Sequence, residues 1–148
     1  MSRLTRLISD RFGNVAVEFA LILPVSVAML AGLIEYGLAA NVRTALENGA
    51  RAGAQLALFQ GFDLNGIKNA VTAATDVTLT SQDVNASEFY ECDGAWGTAV
   101  AAGTACAGGA TLAKFVTVTA TKAYSPYFPL IDFILPSQLQ GSATVRVP

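Results

Sequence analysis

Apolar residues run almost unbroken over positions 15–38, with only Glu18 and Glu35 interrupting them. A helix of those 24 residues would be about 36 Å long, enough to cross a bilayer. Beyond Ala40 the pattern becomes amphipathic. Val42, Leu46, Gly49, Gly53 and Leu56 recur every three or four positions, while Arg43, Glu47 and Arg51 form a charged row at i, i+4. This spacing predicts that the same helix continues to about Phe59. Gln60, Gly61 and Phe62 break it, and Asp63 is placed to cap a second, shorter helix with Ile67, Ala70, Val71 and Ala74 on one face.

From Asp76 the texture changes to β-branched and aromatic residues punctuated by Gly and Asn. Residues 115–124 alternate Val116, Val118 and Ala120 against Thr117, Thr119 and Thr121, a half-buried strand. Shorter strands are expected at 77–80, 88–92 and 142–147. The fold class is therefore α+β: a long N-terminal transmembrane helix continues into a periplasmic helix packed on a small antiparallel sheet. Between the last two strands, YSPYFPLIDFILP over 124–136 is unusually apolar for a connection. Either it folds back as core or it presents a patch to a partner or membrane surface. Core packing is favoured, because a domain of residues 41–148 needs the burial.

Charge orients this arrangement. Arg3, Arg6 and Arg11 precede the apolar run with one acid, Asp10, so the positive-inside rule places residues 1–13 in the cytoplasm and exports the body. The inner membrane is thus the expected location, with lipid as one partner. The remainder carries six basic and ten acidic side chains, with no basic stripe to neutralise phosphates, so nucleic acid is not an expected partner. There is no histidine, and the only cysteines are Cys92 and Cys106. Zinc sites of the usual kind and Ser-His or Cys-His nucleophiles cannot be assembled, so neither an enzyme nor a cofactor is expected. In an oxidising compartment the two cysteines are expected to form a disulfide, worth about 3 kcal/mol for a loop of this length. Trp96 inside that loop is either a contact residue or the loop's anchor to the core. Asp83, Glu88, Glu91 and Asp93 are better read as a solvated acidic loop than as a calcium site, since no EF-hand spacing is present.

An ordinary secretory signal has its small-residue cleavage site after the apolar run. In this chain the small-residue break is Gly13, before the run. Cleavage there would make Asn14 the first residue and Glu18 the fifth, and would leave the apolar helix on the mature protein. The basic leader, Gly13-Asn14-Val15-Ala16-Val17-Glu18-Phe19, the following ALILP and the later Ile34-Glu35-Tyr36-Gly37 resemble the TadE-like branch of type IV prepilins and pseudopilins. These are pilin-like proteins of tight-adherence pilus systems. The apolar crossover and final Val145-Arg146-Val147 strand resemble them too, which leaves about residues 60–112 outside the likeness. The resemblance implies cleavage between Gly13 and Asn14 by a prepilin peptidase and a role for Glu18, beside Phe19, in peptidase recognition and assembly. Its implied partners are that peptidase, other pilin-like subunits and the inner-membrane assembly platform. Asn14 departs from the small residue more typical of the family, although it is able to cap a helix.

Physical arguments bear on the acids independently. A carboxylate at Glu18 gains from a helix N-terminus but costs free energy in hydrocarbon, and an α-amino group freed at Asn14 would relieve that cost. A headgroup-level Glu18 with no specific role is the less favoured reading. Glu35, about 25 Å further along, is expected to reach the opposite interface as a solvated carboxylate beside Tyr36. Pro24 removes one ladder bond, to the Ala20 carbonyl, and is expected to be tolerated or to kink the helix. Gly49/Gly53 and Ala28/Gly32 are small-xxx-small pairs that permit close helix approach, but an alanine-rich helix produces them by composition alone. Two functions follow: a minor pilin or pseudopilin, or, as the alternative, an uncleaved anchored periplasmic assembly or binding factor.

Overall fold

The computed structural model describes residues 11–128 and 136–148, with side chains from Val15 onward. Arg3, Arg6 and most of the 124–136 crossover, from Pro129 to Leu135, lie outside the described residues. The elements are α1 (Arg11–Gln60), α2 (Leu64–Ala73), β1 (Val84–Cys92), a 3-10 turn (Ala107–Gly109), β2 (Leu112–Ala123) and β3 (Gln138–Val147). This is the expected α+β layout: a long apolar helix followed by a small antiparallel sheet. The described chain divides into two compact units. One holds α1 up to Leu38 together with residues 126–128; the other holds Ala39–Ser125 and Pro136–Pro148.

In the second unit, α1 follows its sequence pattern. Leu46, Gly49, Ala50, Gly53, Ala54 and Ala57 are buried, and Glu47 on the opposite face pairs with Arg43 at 3.2 Å and Arg51 at 3.9 Å. Exposed i, i+4 pairs of this kind contribute about 0.3–0.5 kcal/mol each, so burial holds the helix down. Gly61 ends it with a positive φ of 82°, and its N–H bonds the Ala57 carbonyl. Asp63 then caps α2 by accepting from the N–H groups of Asn65 and Gly66, and Ile67 and Val71 are buried.

The sheet is an antiparallel meander in the order β1-β2-β3. Its cross-strand rows include Val84, Ala120 and Gly141, then Ala86, Val118 and Ala143, then Glu88, Val116 and Val145. Val84, Ala86, Val116, Val118 and Ala120 on this face are buried, each valine contributing about 1.5–3 kcal/mol by leaving water. The strands are longer than the sequence pattern suggests, because pairing with β2 recruits residues 84–87 and 138–141. The strand expected at 77–80 is absent. Asp83 instead accepts from both the N–H and the hydroxyl of Thr80, at 2.7 and 2.8 Å, and side chains that bond the local backbone in this way compete with a ladder.

Two close approaches fix α1 on the sheet. A Cβ added at Gly53 would stand 2.7 Å from Val71 Cγ2 and 3.2 Å from Val118 Cγ1, and one at Gly49 would stand 3.2 Å from the Val71 carbonyl oxygen. The Gly49/Gly53 pair is therefore used within the chain, against α2 and β2. A Cβ at Gly141 would overlap the backbone of Leu46 and Glu47, so β3 meets the helix backbone directly, as an isolated glycine in a strand often signals. Gly141→Ala should cost about 2 kcal/mol or more, since backbone rather than a side-chain end must move. Urea unfolding in detergent, followed by Trp96 emission, measures it, and an unchanged midpoint would show that the approach is not tight.

Candidate functional site

The membrane-competent part of α1 gives almost none of its surface to its own chain. Every residue over 15–30 is exposed, including Val17, Phe19, Leu21, Ile22, Val25 and Met29, and the helix is long and apolar enough to cross a membrane. Leu, Ala and Met favour the helix, and its turns carry through Pro24. Near the proline, the Ser26 hydroxyl donates to the Ile22 carbonyl at 3.1 Å, an i−4 bond of the kind that accompanies helix bending. Glu18 lies on this surface in a shallow recess with Val15, Phe19 and Ile22, its i−3, i+1 and i+4 neighbours. A single carboxylate is thus held in apolar surroundings. The α1 backbone already includes Gly13 and Asn14, so in the uncleaved chain Asn14 is a position within the helix.

Glu35 differs from expectation. The solvated carboxylate anticipated beside Tyr36 is instead fully buried and accepts the backbone N–H of Tyr127 at 3.2 Å. A desolvated acid needs donors, and the Tyr127 N–H that it accepts is 92 positions away, beyond the reach of any local pattern. Tyr127 and Phe128 themselves are exposed, at 80% and 42%. Core packing therefore does not hold for Tyr127 and Phe128.

Comparison with known families now bears on these acids: the model for "TadE-like protein" matches residues 13–55. That segment is similar to the TadE-like family. No curated protein and no solved structure gives a match. The TadE-like segment begins at Gly13 and contains Glu18, Phe19 and Glu35, and it runs on through Gly49 and Gly53 of the packed part of α1. The sheet, the cysteines and Tyr127 fall outside it.

In the second unit, Cys92 and Cys106 form the expected disulfide. The enclosed loop is held over the sheet face that carries Phe89 and Phe115. These two rings stack at 5.4 Å, and Trp96 meets Phe115 edge-on at 6.1 Å. Trp96 is thus the loop's anchor while remaining largely exposed. Val100 N–H bonds the Tyr90 carbonyl at 2.8 Å. The four acids are engaged separately: Asp83 with Thr80, Glu88 with Lys114 at 2.7 Å, Glu91 with the Gly97 N–H, and Asp93 with the Thr111 hydroxyl and with Arg146 at 3.2 Å. Among the described residues no group of acids and thiols is placed to hold a metal. Sequence reasoning missed the Glu35–Tyr127 bond, for which there was no signal, and Gly141, whose signal was a glycine inside a strand.

Hydrogen bonds from Thr111, with Arg146 nearby, hold the Asp93 carboxyl below the usual range, and the Thr80 N–H and hydroxyl do the same for Asp83. Lowered carboxyl values stabilise the fold above the unfolded pKa of about 3.9, and that contribution is lost as pH falls through the folded values. The thermal midpoint should therefore hold from neutrality to about pH 5 and fall below about pH 4. Asp93→Asn should flatten the acid limb, and a variant with an unchanged limb would contradict this. Reducing the disulfide should cost about 3 kcal/mol, read as a drop in the urea midpoint.

Proposed function

We propose that this protein is a minor pilin or pseudopilin that takes part in assembling a tight-adherence pilus, processed after Gly13 by a prepilin peptidase. The observation that carries the reading is the coincidence of the TadE-like match, which starts at Gly13, with a helix that exposes its apolar surface over 15–30. The leader charge supports a cytoplasmic N-terminus and an exported body.

The chemistry is associative. Cleavage at the Gly13–Asn14 bond leaves α1 starting at Asn14, where the first backbone N–H groups lack helical acceptors and a new α-amino group carries positive charge. Glu18, one turn in, is attracted to that end of its own helix or of a neighbour's. When a subunit leaves the bilayer, the lipid around Val17, Phe19, Leu21 and Val25 must be replaced by other apolar helices. A Glu18 paired with a neighbouring amino terminus makes that transfer less costly and sets the axial register.

N-terminal sequencing of the protein from cells with an active prepilin peptidase should begin at Asn14. A chain still starting at Met1 or Ser2 would sink the processed-pilin reading in favour of an uncleaved anchored factor. Glu18→Ala should leave membrane insertion intact while abolishing recovery of the protein in sheared pili; unchanged recovery would contradict the pairing role.

A further inference from the structure

We infer that Tyr127 and Phe128 form a second membrane contact, docked at the headgroup boundary of the outer leaflet beside the end of the spanning helix, with Glu35 as the clasp that holds them there. The inference rests on the membrane-anchored reading of α1 and adds an element that lies outside the TadE-like segment.

Glu35 follows Glu18 by 17 residues, about 25 Å along a helix, against a hydrocarbon thickness of roughly 30 Å. With Glu18 at one interface, Glu35 and Tyr36 lie at the other. The hydrogen bond from Tyr127 N–H to Glu35 Oε2, at 3.2 Å, brings the start of the crossover to this same level. Three aromatic side chains then face outward there: Tyr36 is 68% exposed, Tyr127 80% and Phe128 42%. Tyrosine is enriched at membrane interfaces because its ring is apolar and its hydroxyl is polar. Pro126 precedes the pair and Tyr127 is outside any helix or strand, so an acceptor for its N–H must come from elsewhere.

That requirement explains the clasp. Non-helical backbone at membrane depth is tolerated only where its polar groups are satisfied, and an acid at that depth is tolerated only where it has donors. The Glu35 carboxylate and the Tyr127 amide meet both needs. The lipid interface is the occupant because the exposed rings are tied through Glu35 to a helix whose apolar run is long enough to cross a membrane, and both belong to one compact unit.

The test uses the full chain with Trp96→Phe, which keeps a ring against Phe115, in phosphatidylcholine and phosphatidylglycerol vesicles carrying nitroxide lipids. A single reporter is placed by Tyr127→Trp or, as a reference inside the span, by Leu23→Trp. Tyr127→Trp should be blue-shifted and quenched more by a nitroxide near the headgroup than by one near the chain ends, and Leu23→Trp the reverse. Adding Glu35→Leu should lower the headgroup-probe quenching of Tyr127→Trp by roughly twofold or more while leaving Leu23→Trp unchanged. If Leu23→Trp is quenched by lipid but Tyr127→Trp answers only to iodide in the water, the second contact is overturned. If neither reporter is quenched by lipid, the anchored reading falls and the inference falls with it. If Glu35→Leu leaves Tyr127→Trp quenching unaltered, the clasp is wrong.

Discussion

A helix that buries none of its side chains over four turns cannot be left in water. For residues 15–30 each large apolar side chain left exposed forgoes about 1.5–3 kcal/mol, and the described chain offers nothing to cover them. The segment is long and apolar enough to place that surface in a membrane. The positions of Glu18 and Glu35 follow from that constraint, because a carboxylate on such a surface is tolerated only at an interface, beside a positive group or with hydrogen-bond donors.

The second unit shows how few large residues a small fold can manage with. Its core is mostly Ala, Val and Gly, so stability depends on close approach rather than on bulk. Gly53 against Val71 and Val118, and Gly141 against the backbone of Leu46 and Glu47, bring helix and sheet to distances that a Cβ would prevent. On the other face of the sheet the disulfide loop, Trp96 and the Phe89–Phe115 stack form a second, shallower cluster. Asp93, Thr111 and Arg146 lie at its edge, where exposed charges fix loop geometry more than they add stability.

Features that depend on local periodicity were legible in the sequence. The spanning run, the amphipathic continuation of α1, the Asp63 cap and the alternation of β2 all come from spacing, and the structure places them within a few residues of expectation. Features set by contacts between distant positions were not. Glu35 reads locally as an interfacial acid, but the fold buries it and brings the distant Tyr127 N–H to its carboxylate. Residues 77–80 have strand-forming composition, but Asp83 draws Thr80 into a turn and none of the described strands pairs with them. The Gly49/Gly53 pair has the same spacing whether it meets another subunit or its own α2, and the fold decides for α2. Nothing in the local sequence of Tyr127 distinguishes a core aromatic from an exposed one.

The most direct test of the central claim is alkaline carbonate extraction of membranes from cells producing the full chain. The exposed surface of α1 predicts that the protein stays in the membrane pellet with integral proteins, and release into the soluble fraction would contradict the account.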